Sequence, residues 1–193
     1  MNILSIDLTH EIHYVAAVYA KKKYLFEFSE ETRSKRNDWD KKIESLATDI
    51  PNFDFSKLDV NLYAAGPGSY TGARLAYTFL SSLEYIHGTP FHAISNLHAM
   101  NPDREDMIAF YTNNNKDFFY RYKGIDKFTN DIKEVTSHSM QLIGFSSNHD
   151  YVNETIPESM LVENMLDIHT NDQNLLSRDN YPNYIKELSY KKL

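Results

Sequence analysis

"LYAAGPGSYTGARLA", residues 62–76, is the stretch that decides how the first half of this chain folds, and it holds three of the chain's six glycines. An apolar run over residues 60–65 ends at Gly66, and a helical pattern begins near Thr71. A strand, a glycine-rich turn and a helix N-terminus in this order can hold an anion, because backbone N–H groups and the helix dipole favour negative charge there. The same order also makes a plain tight turn, so both interpretations stay open.

The residues before this stretch predict a mixed sheet. Three apolar or alternating segments joined by short polar turns (2–8, 12–20 and 22–29) predict an antiparallel meander. A helix that ends at Pro51 is predicted by apolar residues at helical spacing, namely Trp39, Ile43, Leu46, Ala47 and Ile50. Because the strand over 60–65 follows a helix, we expect it to lie parallel to the first strand.

The helix predicted from about Thr71 to His87 has two distinct faces. It stops at Gly88 and Pro90, and a strand over 89–94 completes a βββαβαβ order. One face is apolar; the other is small, neutral and partly aromatic, with Ala73, Tyr77, Thr78, Ser81, Ser82 and Tyr85. A solvated face is normally rich in charge, yet this helix has only Arg74 and Glu84. We interpret the neutral face as a packing surface for another helix or subunit; the alternative is a solvent-exposed surface low in charge.

The second half of the chain predicts a smaller lobe. Segments 106–112 and 117–124 suggest a hairpin, and short strands are expected over 133–137 and 141–146. A helix is expected over 159–169, and residues 179–193 resemble a docked extension. We therefore expect a lobe over residues 1–102 and a reduced lobe over 103–193.

Composition excludes several classes of function. The net charge of −7 argues against a stand-alone nucleic-acid binder. The absence of cysteine excludes disulfides, a cysteine–zinc site and a cysteine nucleophile. Asp7 and Glu11 interrupt the N-terminal region where a signal peptide would be apolar, and no uncharged apolar stretch is long enough to span a membrane. We expect a cytoplasmic protein without a membrane segment.

No catalytic pattern emerges from the sequence alone. The glycine turn is neither a Walker A loop, a GxGxxG fingerprint nor a GxSxG elbow. Asp7 followed by Thr9 at a strand end could hold a phosphate-bound metal or cap a turn. His10 and His13 do not form an HExxH pair, and we expect no metal site. The basic residues over 33–36 could contact a phosphate or simply be solvated.

The residues from Gly66 to Arg74 resemble the TsaB (YeaZ) family, whose usual motif is GPGS[FY]TG[VL]R[IL]G. Ala73 replaces the usual branched residue, and Ala76 stands where the family often has glycine. The Asp7-x-Thr9 pair, the "G-x-P-x-x-x-I-S-x-L" pattern that starts at Gly88, and a tail similar to "P-x-Y-L-R" extend the resemblance. The family's second-lobe pattern "DAR…EVY" is replaced here by "YTNNNKDFFY".

The resemblance implies an α/β fold of the actin/Hsp70/sugar-kinase type with two RNase H-like lobes. It implies a non-catalytic subunit that binds a TsaD-like protein, together with a TsaE-like ATPase. That complex makes threonylcarbamoyladenosine in tRNAs that read ANN codons and uses ATP and Mg, whereas this chain alone would bind no cofactor. The chain would contact tRNA little and would form a homodimer when alone.

The resemblance also assigns residues. The partner surface would comprise the first helix and the helix after the glycine turn, with Trp39, Ile43, Gly68, Ser69, Tyr70, Thr71, Arg74, Tyr77, Thr78, Ser81 and Tyr85. A vestigial phosphate or nucleotide site would comprise Asp7, Thr9, Gly66 and Gly68. The rival hypothesis is a small ATPase or phosphotransferase of the same fold that uses Asp7 and the glycine turn; a peptidase lacks its metal-ligand pattern.

Overall fold

A computed structural model describes residues 1–29, 39–102, 104–148, 150–171 and 179–186. The basic residues 33–36 and the C-terminal residues 187–193 therefore lie outside the described part. The ten strands of the described residues are β1 (Ile3–Asp7), β2 (His13–Tyr19), β3 (Lys22–Phe28), β4 (Val60–Ala64), β5 (Phe91–Ile94), β6 (Met107–Thr112), β7 (Phe118–Tyr122), β8 (Ile125–Thr129), β9 (Gln141–Phe145) and β10 (Glu154–Ile156). The five α-helices are α1 (Trp39–Asp49), α2 (Tyr70–His87), α3 (Asn96–Met100), α4 (Ile132–Thr136) and α5 (Met160–Asn171).

The first sheet has the predicted topology. Its strand order is β3-β2-β1-β4-β5, with an antiparallel meander followed by parallel strands. All five residues of β4 are buried, as expected for a central strand that is covered on both faces. The predicted helices α1 and α2 and the predicted parallel pairing of β4 with β1 are confirmed.

The second sheet repeats the topology of the first. Its order, β8-β7-β6-β9-β10, again has two antiparallel pairs followed by two parallel pairs. The long helix α2 joins the parallel strands β4 and β5, whereas a short 3-10 turn over Ser146–Asn148 lies between β9 and β10. The second lobe is therefore reduced at the connection between its parallel strands.

One expectation in the second lobe is wrong. The residues of the strand expected over 133–137 form α4, because Asp131 caps it by accepting a hydrogen bond from the Lys133 N–H at 2.9 Å, and Val135 is buried below it. Strands β8 and β10 and the short helix α3 are additional to the elements predicted from the sequence.

The two lobes share a core. Helices α3 and α5 lie between the sheets and pack apolar side chains against both, including Leu97, Met100, Leu161 and Met165. Helices α1 and α2 cover the outer face of the first sheet, and α4 covers that of the second. Because α5 returns to contact β1 and β4, the division at residue 102 stays a prediction. No helix in the described ranges combines the length and apolarity needed to cross a membrane.

Candidate functional site: the glycine turn, the interlobe cleft and the face of α2

The glycine turn joins β4 to α2 and packs directly on the turn that follows β1. Ser69 is the N-cap of α2, and its hydroxyl accepts a hydrogen bond from the Gly72 N–H at 3.2 Å. The Ser69 N–H donates to the carbonyl of Thr9 at 2.8 Å. The helix ends as predicted at Gly88, which adopts a left-handed conformation.

Gly66 and Gly72 are glycine for different physical reasons. Gly66 has φ of +106°, which an L side chain rarely adopts. Gly72 has ordinary helical geometry, but a β-carbon there would overlap the Leu8 carbonyl oxygen. The glycine sequence therefore lets the first turn of α2 lie against the backbone at the end of β1.

Asp7 is the centre of a buried hydrogen-bond cluster. Its Oδ1 accepts bonds from the Thr9 N–H at 2.8 Å and the Thr9 hydroxyl at 2.6 Å. Its Oδ2 lies 2.7 Å from Nδ1 of His10. Both carboxylate oxygens are thus engaged, and the turn-capping interpretation of Asp7 and Thr9 describes this geometry.

Asn96 ties the cluster to the glycine turn. Its side-chain oxygen accepts the Gly66 N–H at 2.9 Å, and its amide donates to Thr9 Oγ1 at 2.7 Å and to the Pro67 carbonyl at 3.1 Å. Asn96 was not among the predicted site residues. It lies 87 positions from Thr9, and the two come together because β4 pairs in parallel with both β1 and β5.

His10 was also not predicted as a site residue, although the sequence places it only three residues after Asp7. Burial alone lowers the pKa of His10, but the charge of Asp7 and their hydrogen bond raise it above the ordinary value of 6.5. Burial raises the pKa of Asp7, whereas the charge of His10 and the bonds from His10 and Thr9 together hold it below 3.8. The two groups therefore stabilise each other's charged forms.

This pair is expected to make stability depend on pH. The contribution of His10 is complete below pH 6.5 and is lost as pH rises through its raised folded-state pKa. The contribution of Asp7 is complete above pH 3.8 and is lost as pH falls through its lowered folded-state pKa. We expect Asp7→Asn to cost about 2 kcal/mol of unfolding free energy near pH 5.5 and less near pH 8.5, measured by urea unfolding. An equal cost at both pH values would contradict a charged pair.

The cluster lies beside an open cleft of about 670 Å³ between the lobes. Thr9, His10 and Ser69 line it from the first lobe, and the β6–β7 turn over 113–115 lines it from the second. Glu158, which precedes α5, also lines the cleft, and burial raises its pKa. Glu158 was not predicted as a site residue, and nothing in the sequence around it distinguishes it.

Of the four residues of the predicted phosphate site, Thr9 and Gly68 line the cleft, whereas Gly66 is linked to Thr9 through Asn96. Thr9 and Gly68 are in direct contact, since a β-carbon on Gly68 would lie 2.8 Å from the Thr9 β-carbon, and both line the cleft. Asp7 is fully buried behind them. Within the described ranges, no three His, Asp or Glu side chains are grouped so that they could hold a metal ion.

The chain's own C-terminal segment, residues 179–186, covers the first half of the neutral face of α2. The Tyr181 ring stacks on Tyr77 at 5.6 Å between centroids, and the Tyr184 hydroxyl accepts a bond from Arg74 Nε at 2.9 Å. Tyr70 packs beside Tyr184. Three residues predicted for the partner surface, Tyr70, Arg74 and Tyr77, are thus in contact with this segment.

The same segment fastens the two lobes together. The Asn183 N–H donates to the Ala65 carbonyl at 2.8 Å, at the end of β4. The Asn183 side chain donates to Asp126 at 2.8 Å, and Lys186 pairs with Asp117 at 2.6 Å, both in the second lobe. Residues 179–186 of the predicted tail therefore contact both lobes.

The second half of the neutral face remains open. Tyr85 is 92% exposed and its neighbour Ile86 is 66% exposed. Thr78 is exposed, Ser81 is half-buried, and Ile43 of α1 is 37% exposed. Two further residues predicted for the partner surface lie outside this open half. The Trp39 ring of α1 stacks on the Phe79 ring of α2 with 4.0 Å between centroids, and Thr71 is exposed in the first turn of α2.

These features define a class of protein: a two-lobed α/β protein whose lobes repeat one strand order, with a glycine turn that leads into a partly open helix. No protein-family model matches the chain, and no curated protein sequence matches it. Its fold is similar to that of YeaZ from Pseudomonas aeruginosa: the TM-score is 0.67 at 14% identity, covering 89% of this chain and 93% of that one.

Two further solved structures are similar. An uncharacterized protein with similarity to peptidase YEAZ from Pseudomonas aeruginosa has a TM-score of 0.67 at 13% identity, covering 96% of this chain and 99% of its own. A glucokinase from an Antarctic psychrotroph has a TM-score of 0.38 at 14% identity, covering 67% of this chain and 49% of its own. The expected two-lobed α/β fold and its expected similarity to YeaZ are confirmed.

Proposed function

We propose that this chain is a non-catalytic subunit that binds a TsaD-like protein, together with a TsaE-like ATPase, and supports threonylcarbamoyl transfer to adenosine in tRNAs that read ANN codons. The observation that carries the proposal is the GPGSYTGAR sequence at the β4–α2 turn of a fold similar to YeaZ. In this proposal the partner proteins use ATP and Mg, and this chain binds neither by itself.

The open part of α2 is the proposed contact surface. Tyr85 and Ile86 expose large side chains, and Ile43 of α1 is 37% exposed. Tyrosine and large apolar residues of this kind are enriched at protein interfaces. We infer that the isolated chain forms a homodimer through the same surface, because an exposed apolar patch can be covered by a second copy.

The acidic charge supports an indirect role with respect to tRNA. A protein that binds nucleic acid gains most of its affinity from basic residues on phosphates. With 27 acidic and 20 basic side chains, this chain is expected to leave tRNA contacts mainly to its partners. A cytoplasmic location accompanies this proposal.

The hydrogen bonds of Asp7 disfavour the rival hypothesis of an enzyme. Asp7 was its metal ligand, but both oxygens of Asp7 already accept hydrogen bonds from Thr9 and His10. A metal ion there would have to displace His10 from a fully buried carboxylate. The geometry therefore favours a hydrogen-bonding role for Asp7 over phosphoryl transfer.

Depletion of the protein in cells tests the proposed function. We expect most of the threonylcarbamoyladenosine in bulk tRNA to disappear, because the transferase partner would lack its accessory subunit. Mass spectrometry of digested tRNA measures the nucleoside, and re-expression of the wild-type chain should restore it. An unchanged level in fully depleted cells would refute the proposal.

A further inference from the structure

Strand β3 forms one edge of the first sheet, and no other strand of the described residues pairs with its outer side. It has seven residues, whereas the other three edge strands, β5, β8 and β10, have four, five and three. A long edge strand is usually interrupted by proline or a β-bulge, because its unpaired N–H and C=O groups can pair with another chain. β3 has no proline, and it pairs with β2 residue for residue without a bulge. The outer side of β3 is therefore suited to the addition of another strand.

The two faces of β3 have different surroundings. On one face lie aromatic side chains that are half-buried against the core beneath α1 and α2, namely Tyr24, Phe26 and Phe28. On the other face lie the exposed side chains Lys23, Leu25 and Glu27. Leu25, at the centre of the strand, is 48% exposed. An exposed leucine on a long unpaired edge favours aggregation unless a specific partner covers it.

The sequence of β3 is complementary to itself when two copies run antiparallel. With the two Leu25 residues opposite each other, Lys23 of each copy lies opposite Glu27 of the other. On the second face, Tyr24 of each copy then lies opposite Phe26 of the other. Opposite charges and aromatic rings that face each other across two strands stabilise a sheet. The pattern therefore favours a second copy of this chain as the occupant of the edge.

This complementarity belongs to one register. Residues that lie directly opposite each other in a sheet point to the same face, so a register can slip only by two residues without exchanging the faces. Such a slip places Lys23 opposite Leu25 or Ser29 of the second copy. No lysine of β3 then faces a glutamate of β3, and both charge pairs are lost.

Lys23 can join the contact without losing its partner in its own chain. Its Nζ lies 2.7 Å from Oε2 of Glu163 in α5, and the two side chains are 46% and 33% exposed. An ammonium group has three N–H donors, so it can bind a second carboxylate from Glu27 of the other copy. Several charges in one network contribute more than an isolated surface pair.

We propose that two copies of this chain associate through the outer edges of β3, antiparallel and in register about Leu25, so that their first sheets form one continuous sheet. The contact is small, so the dimer is weak and depends on concentration. It involves none of the residues proposed for the partner surface on α1 and α2. The β3 contact is therefore independent of the proposed function and of the homodimer proposed for α2.

Single-cysteine variants of the full chain test the contact directly, because the chain has no cysteine of its own. Leu25→Cys places two thiols opposite each other, within the distance that a disulfide spans. We expect oxidation with diamide to convert most of this variant into a disulfide-linked dimer on a non-reducing gel. Ile125→Cys is the matched control, because Ile125 is 62% exposed and lies in β8, an edge strand of the other sheet. Equal cross-linking of the two variants, or none of Leu25→Cys, would overturn the proposal.

Charge reversal tests the register without oxidation. Sedimentation velocity compares variants that all carry Tyr85→Glu, so that association through α2 does not contribute. We expect a Kd of about 100 μM for this parent chain and at least about fivefold weaker association with Glu27→Lys added, because lysines then face each other. An equimolar mixture of the Glu27→Lys and Lys23→Glu chains should restore association, because every charge again faces its opposite.

The sedimentation result has clear contrary outcomes, whatever the result of the tRNA experiment. A parent chain that stays monomeric at about 1 mM would overturn the β3 contact. A mixture that associates no better than either variant alone would overturn the register about Leu25. Circular dichroism of each variant, compared with the wild type, separates a loss of association from a loss of fold.

Discussion

Gly72→Ala is expected to lower the free energy of unfolding by about 3 kcal/mol or more, because the new methyl group would overlap the Leu8 carbonyl oxygen. The obstacle is backbone, so no side-chain rotation can relieve it. Either α2 must move away from β1 or the end of β1 must shift, and both movements disturb the Asp7–Thr9 turn. For a chain of 193 residues this loss corresponds to a decrease of about 6–12 °C in the thermal midpoint.

Gly124→Ala is the matched control for Gly72→Ala. Gly124 has φ of +75° and no atom within contact distance of an added β-carbon, so alanine there should cost only about 1 kcal/mol of backbone strain. Thermal unfolding followed by circular dichroism compares the two variants with the wild type. If both lose the same stability, the close approach of α2 to β1 is not the reason for glycine at position 72.

The sequence predicted the first lobe well because its elements carry strong local signals. The run over 60–65 is apolar except for Asn61, Ser69 caps α2, and Gly88 ends that helix. In the second lobe the signals are weaker. Strand β8 follows a turn in which Lys123 and Gly124 both have positive φ. This turn is hard to predict from the sequence, because asparagine is typical of the first position and lysine is not. A strand was expected over 133–137, which contains the β-branched residues Val135 and Thr136. The cap at Asp131 and the burial of Val135 stabilise a helix there instead.

The candidate sites were less predictable because they depend on contacts between distant segments. Asp7 and Thr9 were singled out from the sequence, but the bond from His10 that engages Asp7 depends on how the turn after β1 folds. Asn96 reaches Thr9 only after β4 and β5 pair. Likewise, the uncharged face of α2 was recognised, but its two halves differ because residues 179–186 cover one of them.

Because residues 179–186 cover one half of this face, only substitutions in the open half test partner binding without disturbing the fold. A glutamate at Tyr77, which the neutral face alone would recommend, would also break the stacking with Tyr181 and the contact with Phe91. Any loss of binding would then be mixed with a loss of structure. Tyr85 avoids this problem because it is 92% exposed, with no ring contact among the described residues.

Tyr85→Glu should therefore weaken binding of the TsaD-like partner at least about 30-fold while changing the unfolding free energy by less than about 1 kcal/mol. An interface would bury the new carboxylate without a counter-charge, which costs affinity, whereas in the free protein the side chain stays in water. Ile125→Glu is the matched control, because Ile125 is also a large exposed residue, at 62%, but lies in β8 of the other lobe. Surface plasmon resonance with the TsaD-like protein immobilised measures all three chains. Equal weakening by both variants would indicate a general charge effect, and undiminished binding by Tyr85→Glu would move the contact surface away from the open half of α2.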